Sequence, residues 1–205
     1  MKLKLSFKVH FYSCIRYYIV FSILVLLSIG LKFIFNIDDN IYLSYIITSC
    51  ILFSIMLGIN EYLMVLHTYL NIHPNPRSFW LQSIFANLIN SLLCLLLTIL
   101  INLILLITNA TPILAESLAQ ILILYIFAYS IGAIGYVLLH RVKYFQIIVI
   151  IILVICLVFL GSIINKGILD FISLYLTNKL ICLIPLFLSM IFEGLILLRL
   201  NRFIK

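Results

Sequence analysis

The chain runs to 205 residues, 66% hydrophobic and only 9% charged, with a net charge of +7 and a mean hydropathy of +1.33. Soluble domains carry about a quarter of their residues charged, so this composition excludes a water-soluble globular fold. Its apolar runs are continuous instead of alternating, which excludes a membrane β-barrel, and the basic excess has no soluble face on which to bind nucleic acid.

In chain order, the opening "MKLKLSFKVHF" alternates polar Lys2, Lys4, Ser6, Lys8 and His10 with apolar Leu3, Leu5, Phe7, Val9 and Phe11. Period two favours an extended segment, and a helix gives a less clean face. In either form the stretch is expected to lie in the membrane interface, with its lysines toward anionic headgroups. Apolar runs of about 18 or more residues cross a hydrocarbon core about 30 Å thick. On that criterion six spans are predicted, at Tyr17–Phe35, Ile41–Met64, Phe79–Ile107, Ile113–Leu139, Phe145–Ile164 and Lys179–Leu198. The first is too long for a signal peptide and no small-residue cleavage site follows it, so it is expected to be retained.

Lys32 and Glu61 fall near span ends, where long side chains are expected to snorkel toward water. Gly132 and Gly135 in the fourth span suit close helix approach. Residues 165–178 are too apolar for a solvated loop and too short to span, which predicts a re-entrant or interfacial segment. In the last span Pro185 is expected to introduce a kink. Glu193 lies about 9 Å deeper than Arg199 by helical rise. A carboxylate inside a span costs about 2.5–3.5 kcal/mol on insertion scales. Its neighbours four residues away, Ser189 and Leu197, supply no cation. Another helix, water or a partner must satisfy it.

Six spans put both termini on one side. With that side cytoplasmic, Lys2, Lys4, Lys8, Arg16, Arg77, Arg141, Lys143, Arg199, Arg202 and Lys205 lie inside, and only Lys32, Lys166 and Lys179 lie outside. This matches the positive-inside rule. The whole of residues 1–205 reads as one all-α polytopic membrane domain with both termini cytoplasmic. A composition rich in Ile, Leu and Asn and poor in Ala points to an AT-rich bacterial genome, and so to a multi-pass protein of the bacterial plasma membrane.

No chemistry-bearing motif appears. There is no phosphate-binding G-x-x-x-x-G-K-[ST], no H-E-x-x-H, no C-x-x-C and no G-x-S-x-G. The five cysteines are dispersed one by one through the spans and read as small apolar residues. His67 and His73 are six residues apart, on different faces of any helix, and prolines follow directly. The expectation is a chain that is not itself an enzyme and carries no metal and no cofactor.

The exception to the apolar pattern is "HTYLNIHPNPRSFW", His67 to Trp80. Glu61 closes the second span, about a dozen residues follow, and then Pro74, Pro76, Arg77 and Phe79 lead straight into the third. This arrangement resembles the cytoplasmic loop of ABC-2-type permeases, the six-span membrane subunits of ABC exporters. The Gly-Thr that follows the glutamate in that family, and the Gly-Lys after the arginine, are absent here. The resemblance implies that Glu61 opens the loop and that "YLMVLHTYL", which includes His67, forms a coupling helix docking on a separate ABC ATPase subunit. Pro74, Pro76 and Arg77 would end that helix. Phe79 and Trp80 suit the membrane interface, where amphipathic rings settle.

The resemblance further implies a second permease subunit, identical or homologous, and ATP hydrolysis in the partner. With few charges in the spans, the expected cargo is amphipathic or hydrophobic, such as a toxin-like or bacteriocin-like peptide. Two alternatives stand beside it. One is the substrate-binding membrane subunit of an energy-coupling vitamin importer, although "YYIVFSILVLLSIGLKFIF" lacks the Ala-x-x-x-Ala face such subunits use. The other is a non-transporting membrane immunity or assembly protein.

Overall fold

The computed structural model describes residues 2–35, 37–66, 75–107, 117–139 and 183–200, together with Tyr175 and Ile181. The described structure is almost entirely helical, as a chain in hydrocarbon requires: with no water to bond, each segment must satisfy its own backbone N–H and C=O groups. The helices are α1 (Lys2–Phe35), α2 (Asp39–Asn60), α3 (Pro76–Ile107), α4 (Leu118–Leu139) and α5 (Leu183–Leu200). Each is long and apolar enough to cross a membrane. The predicted span Phe145–Ile164 and nearly all of residues 165–178 lie outside the described residues.

Several local expectations are corrected. The N-terminal stretch is helical, and it runs without a break into the first span as one helix of 34 residues. At 1.5 Å per residue that is about 51 Å, so lipid-spanning helix propensity propagates through the alternating pattern. Pro185, expected to kink the last span, lies in its first turn, since α5 begins at Leu183. Proline there occupies the first turn, where its missing N–H has no intrahelical acceptor to leave vacant.

Lys32 does not snorkel into water. It is 7% exposed, with its ammonium 5.0 Å from the Phe33 ring centre and 5.9 Å from that of Tyr42. The aromatic faces attract the cation and hold it against α2.

Half or more of the spans in α2 (50%) and α4 (56%) is buried, against 11% in α1. α2 and α4 therefore form the centre and α1 the periphery. Two glycines make that centre. A methyl group on Gly58 of α2 would overlap the Tyr129 carbonyl oxygen of α4, and one on Gly132 of α4 would overlap the Ile55 carbonyl oxygen of α2. Each helix thus lays its backbone against the other's glycine, the small-residue contact that drives association in lipid by dispersion forces. Gly135 plays no such part: nothing lies within 4 Å of the position its Cβ would take.

The apolar interior falls into two main clusters. One joins Val25, Ile46, Cys50, Leu57, Ile101 and Tyr125 across α1 to α4. α1 reaches it through its inner edge, where Phe21 stacks on Phe53 (4.0 Å, 4°) and Tyr18 meets the same ring edge-on (5.6 Å). The other gathers Tyr62, Val65, Leu66, Phe79, Val137 and Ile196 at the end where α2 stops and α3 starts.

Candidate functional site

α3 separates its side chains by polarity, with the polar ones inward. Leu81, Phe85, Leu92, Leu96, Leu100 and Leu103 are exposed, whereas Ser83, Asn87, Asn90, Ser91 and Thr98 are buried to 4% exposure or less, with Cys94 beside them. Spacings of four, three, one, three and four residues put all six on one helical face. From Ser83 to Thr98 this polar seam covers about 22 Å of helix rise, most of a hydrocarbon core.

At one end of the seam, Thr98 donates to the Cys94 carbonyl (2.9 Å). Its single proton is then spent, so the 2.8 Å contact with the Tyr125 hydroxyl has Tyr125 as donor. Ser54 of α2 lies 3.7 Å from the Cys94 thiol, and the Cys50 thiol is within hydrogen-bonding reach of Cys94.

In the middle, the Asn87 amide ties α3 to α4. Its Nδ2 donates to the Ile126 carbonyl (3.2 Å) and to Ser130 Oγ (3.3 Å), while its Oδ1 accepts from Ser91 (3.2 Å). A buried amide in lipid holds such partners because the alternative is an unsatisfied group in hydrocarbon. Asn87→Leu is expected to destabilise the bundle by about 1–3 kcal/mol, the cost of orphaning buried polar partners. Denaturant titration in detergent measures it. Leu88→Ala on the same helix, where the side chain is exposed, is expected to change stability far less.

Ser130 links this chain of bonds to α5. Its hydroxyl lies 3.1 Å from the Ile126 carbonyl and 3.2 Å from Glu193 Oε1, and its single proton is donated to one or the other. Glu193, which needed satisfaction from another helix, water or a partner, receives it in part from α4. The Trp80 indole N–H of α3 donates to the Glu193 backbone carbonyl (3.1 Å). Glu193 Oε2 is buried without a hydrogen-bond partner.

The residues around the predicted loop are placed as follows. Glu61 opens a π-helical turn, Glu61–Val65, that continues α2. The carboxylate is not at a wet span end, being only 1% exposed, because the turn it opens packs into the interior cluster with Phe79 and Val137. Tyr62, Val65 and Leu66 are buried with it, so the first half of the expected coupling helix belongs to the core. His67 and Pro74 lie outside the described residues.

Asn75 and Pro76 start α3. Asn75 Oδ1 accepts from the backbone N–H groups of Arg77 (3.1 Å) and Ser78 (3.4 Å), an N-cap with proline in the first turn. Arg77 is exposed. Phe79, expected at the interface, is instead 1% exposed and stands edge-on to Tyr62 (5.3 Å, 88°). Burial against the π turn outweighs an interfacial seat for this ring.

The structure therefore brings Glu61, Phe79 and Glu193 into one neighbourhood around Tyr62, a residue close enough to both carboxyl groups to feel their charge. It leaves Arg77 outside that neighbourhood. The seam was not among the residues singled out in the sequence, although the spacing of Ser83, Asn87, Asn90, Ser91, Cys94 and Thr98 carried the signal. Among the described residues no group of three or more His, Cys, Asp or Glu is arranged to hold a metal ion. No family model, no curated protein and no solved structure matches the chain.

Proposed function

We propose that this chain is the permease subunit of an ATP-driven exporter in a bacterial plasma membrane, with residues 67–77 facing the cytoplasm and forming the contact for a separate ATPase. The observation that carries the reading is the clamp at the two ends of that segment. Tyr62, just before it, packs edge-on against Phe79, just after it. Trp80 bonds the same point to α5 through the Glu193 carbonyl.

A force applied to the segment thus reaches α2, α3 and α5 together, because packed aromatic contacts transmit displacement instead of absorbing it. Arg77, exposed at the capped start of α3, offers a fixed cation for an acidic groove on the ATPase or for a headgroup phosphate. The polar seam supplies hydrogen-bonding groups inside an otherwise apolar bundle, which suits an amphipathic cargo. A second permease subunit, identical or homologous, would complete the passage.

Arg77→Glu tests the docking role. It reverses a charge at an exposed site and leaves the Asn75 cap intact. The expected outcome is about a tenfold loss of ATPase association or more, corresponding to about 1.4 kcal/mol, with unchanged folding. Association is measured by co-purification from membranes and transport by cargo release from vesicles. Glu61→Ala is expected to impair transport through the π turn, into which its carboxylate is buried. If both variants associate and transport as the parent chain does, the proposal is wrong.

A further inference from the structure

Glu193 carries an unusual set of contacts for a carboxylate in a membrane helix. Oε1 meets Ser130 Oγ at 3.2 Å. Oε2 is buried and accepts no hydrogen bond. Among the described residues no lysine or arginine pairs with it: Arg77, at the start of α3, is exposed, and Arg199 lies six residues further along α5. The other titratable groups on the elements packed around it are Glu61 and Tyr62 of the π turn, Cys94 of α3, and Tyr125, Tyr129 and Tyr136 of α4. None of these brings a positive charge, and Glu61 adds a second carboxyl beside Tyr62.

We propose that Glu193 is an intramembrane proton-binding site, holding a proton as a carboxylic acid that is hydrogen-bonded to the Ser130 hydroxyl. This inference does not depend on an ATPase partner.

The hydrogen-bond geometry accommodates both protonation states. With Glu193 ionised, the Ser130 proton points to Oε1, and Asn87 Nδ2 donates to the Ser130 oxygen. When a proton from water adds to Oε1, the new O–H donates to Ser130 Oγ. The Ser130 proton then turns to the Ile126 carbonyl, already 3.1 Å away, and Asn87 keeps its own bond to that carbonyl. Only one hydroxyl rotates, no further buried polar group is orphaned, and the net change is one proton gained from solvent. With Glu193 ionised, Oε2 shares the charge without accepting a hydrogen bond, and the acid form removes that charge.

The test is infrared spectroscopy of the full-length chain in lipid vesicles at neutral pH, read at the carbonyl stretch of a protonated carboxylic acid. The expected result is such a band in the parent chain, lost in Glu193→Gln, kept in Glu61→Gln, and moved to higher frequency in Ser130→Ala, where the acid loses its hydrogen-bond partner. Absence of the band in the parent chain, or its survival in Glu193→Gln, overturns the proposal.

Should Glu193→Gln fail to insert, the parent chain alone decides the matter through dicyclohexylcarbodiimide, which reacts with protonated carboxyls in apolar surroundings. An adduct mapped by mass spectrometry to Glu193, falling about tenfold for each pH unit above its midpoint, supports the site. No adduct at Glu193 overturns it.

Discussion

Replacing Gly132 with leucine is expected to destabilise the bundle by about 3 kcal/mol or more, and Gly58→Leu to do the same. The ordinary cost of overpacking is about 1–3 kcal/mol, because flexible side chains around the site yield. Here the obstruction is backbone. The first added carbon at Gly132 meets the Ile55 carbonyl, and at Gly58 it meets the Tyr129 carbonyl. Neither oxygen moves without separating α2 from α4, and those two helices hold the buried centre.

Even alanine is expected to destabilise at either site, against an intrinsic gain of about 1 kcal/mol from replacing a helical glycine. Gly135 provides the internal comparison, since nothing lies near its missing Cβ; Gly135→Ala is expected to be neutral or stabilising. Reversible unfolding in mixed detergent micelles reads all three. Equal effects at Gly132 and Gly135 would show that the close crossing is not what holds the centre together.

The second large effect concerns Phe79. Phe79→Ala is expected to uncouple ATP hydrolysis from transport while leaving the ATPase bound. The ring is buried between the π turn and the start of α3, and truncating a buried phenylalanine costs about 3–5 kcal/mol. Part of that loss falls on the clamp that links both ends of the 67–77 segment, so the segment could move without carrying α2 and α3 with it. Phe79→Leu keeps most of the volume and removes the edge-on aromatic contact, about 0.5–1.5 kcal/mol, and should show a partial version of the defect. The measurement is the ratio of cargo moved to ATP hydrolysed in reconstituted vesicles, together with bound ATPase. An unchanged ratio in Phe79→Ala would separate the clamp from coupling.

The helices were legible from the sequence because a span is announced by an uninterrupted apolar run, a requirement set by lipid and by backbone hydrogen bonding alone. Gly132 was legible as a crossing point, but not Gly58 as its counterpart, since a pairing between helices leaves no mark on either one. The π turn at Glu61–Val65 carries no compositional signal: "NEYLMV" reads as ordinary helix, and only packing reveals the wider turn. Glu61 is buried in that turn, where its place near a span end predicted water.

Phe79 and Trp80 were read as interfacial rings from type and position. Their partners, Tyr62 and the Glu193 carbonyl, lie 17 and 113 residues away in the chain, beyond the reach of local pattern. The seam on α3 is the opposite case. Its spacing is fully local, but the helix is apolar enough on average that six inward polar side chains vanish into the mean.

The central claim is that residues 67–77 form the contact for a separate ATPase, and Arg77, exposed at the capped start of α3, is the place to test it. With the chain carrying Arg77→Cys, a short thiol-directed photocrosslinker is applied in native membranes, and the adducts are identified by mass spectrometry. The account predicts a crosslink to a protein bearing a phosphate-binding G-x-x-x-x-G-K-[ST] motif, with none from Leu100→Cys on the lipid-exposed face of α3. Adducts from position 77 that contain only lipid, or only proteins without that motif, would contradict it.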